Sequence, residues 1–335
     1  MDAEPLSIGA LPVAVLPLRG ESGQGLLLRA SRANALSLGM LYRLAGGDLS
    51  ADPTHLITSL ACLANVSHRW LEHHAILEES DGGRRRWKFL GHRWTASISL
   101  RRNRPQVCPE CLIETKYCRA VWDVTGYVVC PAHGLLQNTC AHCGAEITWR
   151  RPALTVCRCR WMFGRSQTSA PVPAIVNAWS QWVANRAAAS ASAPGAIPGG
   201  EGEIGLLPRW IHGLNVDAAF QIVFALGLRS AQHERISTTS TVAMRSPDEI
   251  AQIIERGIER GRVLDDLSAP ALAGLDGWIY EQGIERLARR AVDVADRTFA
   301  GTLQHALHRS NYRCQTTGRK PSMYQPDLFE ECFDG

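Results

Sequence analysis

The stretch Val107-Cys-Pro-Glu-Cys-Leu112, continued by Val129-Cys-Pro-Ala-His133, Cys140-Ala-His-Cys-Gly144 and Cys157-Arg-Cys159, decides how this chain is read. Eight of its eleven cysteines fall between Cys108 and Cys159; only Cys62, Cys314 and Cys332 lie outside. Cys108/Cys111 and Cys140/Cys143 are Cys-x2-Cys pairs, Cys130/His133 has the same span, and Cys157/Cys159 is a tighter version. A turn of this length aims two ligand atoms into one tetrahedral site, with backbone N–H groups close enough to damp the thiolate charge. Four half-sites make two whole ones. Pairing in sequence order predicts one site of Cys108, Cys111, Cys130 and His133 and a second of Cys140, Cys143, Cys157 and Cys159; the short gap from His133 to Cys140 favours it over an interleaved cross-brace. A histidine ligand and full occupation by protein groups point to two structural Zn2+ ions rather than iron-sulfur clusters. Gly144 supplies φ > 0 where such knuckles close. Cys118 has no partner at ligand spacing and reads as a packed thiol, and His142 is expected to point outward.

Upstream, helical periodicity takes over. Leu26, Leu27, Ala30 and Ala33 share a face, Asn34-Ala35 can turn, and Ser37 can cap a second helix carrying Leu38, Leu41 and Leu44. This pair reads as a helix-turn-helix. Asp52-Pro53 predicts a third helix with Leu56, Ile57, Leu60 and Leu63, and Ser67 a fourth through Trp70, Leu71 and His74. His68, His73 and His74 read as one helix surface rather than a further metal site.

Between the bundle and the first knuckle, Arg84, Arg85, Arg86, Lys88, Arg93, Arg101, Arg102 and Arg104 follow one another with no intervening acid. They form the candidate nucleic-acid-binding connector, with Trp87, Phe89 and Trp94 interleaved. The formal charge of +4 overstates the balance. Seven coordinating thiolates and two divalent ions bring the folded chain to about +1, so affinity for nucleic acid has to come from local patches.

Downstream, residues 166–208 read as linker, most clearly over 187–200. Ser246-Pro-Asp-Glu249 is a capping box leading into Ile250, Ile253, Ile254 and Ile258. Ile284, Leu287, Ala288, Ala291 and Ala295 predict a long helix ending near Phe299. The boundaries expected are 1–105 for an N-terminal helical domain with its basic connector, 106–165 for the double zinc module, 166–208 for a linker, 209–313 for a C-terminal helical domain and 314–335 for a polar, acidic tail. The fold class is mainly α: an N-terminal helical bundle with a helix-turn-helix, a central double zinc-ribbon or zinc-finger module and a C-terminal helical domain.

With 45% hydrophobic and 20% charged residues over 335 positions, the chain has the composition of globular protein. No apolar run reaches the roughly 20 residues of a spanning helix, and Asp2 and Glu4 stand where a secretory signal carries basic residues. A cytoplasmic, membrane-free protein with reduced thiols is expected. Gly-x4-Gly-Lys-Ser/Thr, His-Glu-x2-His and Gly-x-Ser-x-Gly are absent from the sequence. A zinc deaminase needs His-x-Glu before Pro-Cys-x2-Cys, and here the proline lies inside the pair. No catalytic residue is assigned and no enzyme is expected.

The run from Val107 to Leu112, then Tyr117, Arg119 and Trp122, then Val129-Cys-Pro-Ala-His-Gly-Leu-Leu136 and Cys140-Ala-His-Cys-Gly144, resembles the zinc core of the TniQ/TnsD family of transposon target-selection proteins. Leu11-Pro, Pro17, Gly20-Glu-Ser22 and the helix pair from Leu27 to Leu41 resemble the family's opening segment. The likeness covers about residues 8–160. It implies a non-catalytic adaptor that marks an insertion site, by reading target DNA or by riding on an RNA-guided Cascade complex with its guide RNA, and recruits the transposon's AAA+ ATPase. It also implies a homodimer. The reading set against it is a sequence-specific transcription regulator built from a helix-turn-helix and a zinc ribbon.

Overall fold

The computed structural model describes residues 9–49, 53–81, 84–164, 171–189, 205–228, 245–265 and 281–316. They group into two compact units. The first takes the described residues of Met1–His92, Leu100–Val124 and Ala132–Ala170; the second takes those of Arg93–Ser99, Thr125–Pro131 and Pro171–Gly335.

In the first unit, helices α1 (Gly23–Ala33), α2 (Leu38–Leu44), α3 (Ile57–Leu63) and α4 (His68–His74) follow the apolar periodicity. Leu26, Leu27, Leu28, Leu41, Leu60 and Leu71 are buried, each contributing about 1.5–3 kcal/mol by leaving water. The two helix pairs are built alike. Ser37 and Ser67 each accept the backbone N–H three residues on, from Met40 at 3.2 Å and Trp70 at 3.0 Å. Each turn passes through a left-handed residue, Ala35 at φ 55° and Asn65 at φ 52°. The next residue then closes back on the helix, Leu36 N–H to Ser31 O at 2.8 Å and Val66 N–H to Ala61 O at 3.0 Å. This repeated turn is a local device, legible in the Ser caps. The opening of α3 differs from the sequence reading: Pro53–Leu56 is a 3-10 turn before the α-helix, and Asp52 lies outside the described residues.

The first half of the basic connector, through Trp94, is sheet. Strand β1 (Leu77–Asp81) pairs antiparallel with β2 (Arg84–Phe89), Leu77 opposite Lys88 and Asp81 opposite Arg84, and β3 (His92–Trp94) extends the order to β1-β2-β3. Trp87, Phe89 and Trp94 are buried, so the interleaved aromatics are core.

In the second unit, helix α6 (Ala174–Ala189) stands inside the stretch read as linker. Val176, Trp179, Trp182 and Val183 are buried on it, and the Trp179 indole donates to Gly126 O at 2.9 Å. The composition that suggested a linker is concentrated in 187–200, most of which lies outside the described residues; the Ala-rich run before it is helical because alanine favours the helix and a tryptophan face is buried. Then come α7 (Arg209–His212), α8 (Val216–Gly227), α9 (Pro247–Gly261), α10 (Glu281–Arg290) and α11 (Val294–Thr316); α5 belongs to the metal centres below. The capping box at Ser246 and Glu249 forms as read, each side chain accepting the other's backbone N–H at 3.1 and 2.8 Å. Helices α8 and α9 pack face to face and approach closely because Gly227 and Gly257 carry no Cβ. One added at Gly227 would lie 1.9 Å from Ile253 O, and one at Gly257 2.0 Å from Val223 O. The single long helix expected through Ala295 is two helices, broken at 291–293, where Asp293 and Asp296 turn to accept the Asn215 amide. The second of them runs past Phe299 to Thr316. Asp217 is buried at the start of α8 and accepts from Thr95 N–H, Thr95 Oγ1 and Ser99 Oγ at 2.6–2.7 Å. Burial raises its pKa and these bonds pull it back. Residues 317–335, most of the acidic tail, lie outside the described residues, as do residues 190–200. No helix among the described residues is long and apolar enough to cross a membrane.

Candidate metal centres

Cys108 caps the short helix α5 (Pro109–Thr115), where Pro109 at the first position gives up an N–H that would find no partner anyway. Cys111 lies one turn on, and Lys116 ends the helix at φ 58°. Strands β4 (Val129–Cys130) and β5 (Gly134–Leu135) hold the facing hairpin with Cys130 and His133. The Val107–Gln137 bridge, 2.8 Å in both directions, ties hairpin and helix together. Each residue of Cys108, Cys111, Cys130 and His133 offers a ligand atom within 4.8 Å of the others. His133 turns Nδ1 to the Cys108 and Cys111 sulfurs, 3.3 Å from each, and Nε2 to the Glu114 carboxylate at 3.2 Å. A neutral imidazole that ligates through Nδ1 carries its proton on Nε2, and Glu114 accepts that proton's hydrogen bond, which fixes tautomer and ring together. Sequence reasoning missed Glu114. Its signal was its place one helical turn beyond Cys111.

The second cluster is Cys140, Cys143, Cys157 and Cys159. In one knuckle Gly144, at φ 68°, returns its N–H to Cys140 O at 2.8 Å. In the other, Arg160 at φ 69° returns its N–H to Cys157 O at 2.8 Å, and Cys157 N–H bonds Trp161 O at 2.9 Å. Cys140 to Cys159 and Cys143 to Cys157 are 3.8 Å between sulfurs. That is the edge of a tetrahedron whose centre lies about 2.3 Å from each sulfur, the length of a zinc–thiolate bond. Burial pushes the Cys157 thiol up to about 12, with neighbouring sulfurs adding to the rise. Four thiols so placed hold their charge together only around a cation. Both clusters therefore fit a soft divalent metal in donor type, number and spacing, and the clusters follow sequence order.

A buried polar network joins the start of α1 to Cys118, Asp123 and Arg151. Ser22 Oγ donates to Asp123 Oδ2 at 2.6 Å, Ser22 N–H bonds Cys118 O at 2.8 Å, and Arg151 Nη2 lies 3.2 Å from the Cys118 sulfur. Glu21, buried, takes a two-pronged bond from Arg29 at 2.6 Å on each arm. Burial raises Asp123 to about 7 against the Ser22 bond and the Arg151 charge, and raises Cys118 to about 12. Cys118 is thus a packed thiol with a guanidinium neighbour. Only the Gly20-Glu-Ser22 stretch hinted at this network in the sequence.

The structure divides the eight basic residues of the connector. Arg101 is wholly buried and burial lowers its pKa to about 10, so it cannot meet a phosphate. Its neighbours find acids that the linear run hides: Arg85 and Arg102 meet Glu78 at 3.3 and 3.5 Å, Lys88 meets Glu72 at 2.7 Å and Arg104 meets Glu146 at 2.5 Å. Folding brings these carboxylates in from β1, α4 and the second knuckle region. Arg85 and Arg93 are exposed and Arg86 half-buried; the Arg84 side chain lies outside the described residues.

Fold and site together define a class: mainly α proteins with a double Cys/His metal module. Within it, residues 12–136 match the family model TniQ. The chain carries a TniQ domain over that span, and the TniQ domain marks a family of transposition-associated target-selection adaptors. The matched span ends before the second metal cluster, short of the 8–160 expected from resemblance. No curated protein matches the chain.

Proposed function

We propose that this chain is a non-catalytic adaptor of transposition target selection, linking target DNA or an RNA-guided Cascade complex to the transposon's AAA+ ATPase. The observation that carries the reading is the TniQ domain over residues 12–136. The metal clusters support it: each offers four protein ligands to one ion, and a zinc ion so enclosed has no open position at which to activate water. Zinc in both would act by folding the module, where such binding supplies on the order of 10–16 kcal/mol in small domains. Arg85 and Arg93, exposed, and Arg86, half-buried, are the connector residues proposed for phosphate contact on the ground of their solvent access. The division into a helical N-terminal domain through residue 105, a metal module over 106–165 and a C-terminal helical domain from 209 is part of the same proposal.

The test is an affinity pull-down of the tagged full-length chain with the AAA+ ATPase and any Cascade subunits encoded beside it. Co-purification of the ATPase, with loss of transposition on deleting this gene, is expected. Full transposition at the normal site without the protein would overturn the reading.

A further inference from the structure

The residues between the metal ligands of the second centre form a surface that the adaptor reading does not use. Cys157 and Cys159 turn inward to the cluster, which leaves Arg158 and Arg160 on the outside of the same tight loop, both exposed. Directly after them come Trp161, 39% exposed, and Met162, 61% exposed. From the opposite knuckle the exposed His142, also a residue between ligands, stacks on Trp161 with ring centroids 4.6 Å apart and planes 25° from parallel. Among the described residues no carboxylate lies at ion-pair distance from Arg158 or Arg160, in contrast to the connector cations.

We propose that this outer face of the second metal centre binds an unpaired stretch of nucleic-acid strand, with Arg158 and Arg160 on phosphates and the Trp161–His142 stack as a platform for a base. Guanidinium forks match phosphate oxygens. A tryptophan left open beside them supplies a π-face that any base can cover, which carboxylates alone leave unused. The backbone favours the arrangement: the Val156–Met162 bridge and the Phe163 N–H to Thr155 O bond at 2.7 Å hold the loop's stem, and the metal would hold its tip. The two arginines also offset the charge of a four-thiolate zinc site, so the test must separate charge balance from strand binding. The inference rests on the adaptor reading only in that such a protein meets nucleic acid.

The full-length, metal-loaded protein and an Arg158→Gln/Arg160→Gln/Trp161→Ala variant are titrated with fluorescent single-stranded DNA, single-stranded RNA and duplex DNA at several salt concentrations. Wild type is expected to bind a single strand more tightly than duplex, with the DNA and RNA arms identifying the strand. The variant is expected to retain two metal ions, bind at least about tenfold more weakly, and lose about 1.4 from the slope of log affinity against log salt, about 0.7 for each phosphate contact. Photo-crosslinking of the unaltered protein to the same strand decides the matter if the variant loses metal: a crosslink at Trp161 or His142 supports the proposal, and crosslinks confined elsewhere overturn it. Unchanged affinity in a metal-loaded variant, or equal displacement of the strand by polyglutamate, also overturns it. A failed adaptor reading would show differently, as strand binding that persists without recruitment of the ATPase.

Discussion

Asp123 and His74 line the same small cavity of the first unit, with Ser22, Gln24 and Arg102, and burial moves their titrations in opposite directions. The Asp123 carboxyl rises from 3.8 to about 7. Its contribution to stability is full below about pH 4 and is lost as pH climbs towards 7. The His74 ring falls from 6.5 to about 4, burial outweighing its 2.8 Å bond to Trp70 O. Its contribution is full above pH 6.5 and is lost as pH drops towards 4. The two oppose each other over most of that window. Thermal unfolding at pH 4–7.5, read as the difference from wild type so that acid loss of metal cancels, is expected to tilt upward with pH for Asp123→Asn and downward for His74→Gln. Parallel difference curves would contradict the assignment. At the first metal centre, Glu114→Ala should weaken one ion by about tenfold in chelator competition, the low end for such supporting carboxylates because Glu114 is 58% exposed, and leave the second ion unmoved.

Among the elements, those specified by neighbours in sequence were legible and those specified by distant partners were not. Ser37, Ser67 and Ser246 cap their helices where the sequence places them, since a cap needs only the next three residues. The hairpin of β1 and β2 escaped notice because its alternation, Trp87 and Phe89 against Arg86 and Lys88, is buried under the basic composition. The break at 291–293 depends on Asn215, which no local pattern announces. Likewise, the close crossing of α8 and α9 is visible only when both helices are in place. Gly257→Ala should destabilise the second unit by about 1–3 kcal/mol through overpacking against Val223 O. Chemical denaturation measures this, and a loss no larger than that of a surface Gly→Ala exchange would contradict the packing.

At the scale of the whole molecule, the metal centres were the most legible feature, because each half-site is a local pair and the pairs join in sequence order. The charged surface was the least. A run of eight cations looked continuous in one dimension, yet Arg101 is interior and Glu72, Glu78 and Glu146 reach across from elsewhere. Arg158 and Arg160, which meet no carboxylate among the described residues, sat unremarked between and beside cysteines. If two four-ligand zinc sites hold the TniQ-domain chain in its working fold, native mass spectrometry of the full chain will show two zinc ions per chain, falling to one or none in Cys143→Ser with a broadened, unfolded charge distribution; a single ion in the wild type, or a compact Cys143→Ser chain that keeps both, is the opposite result.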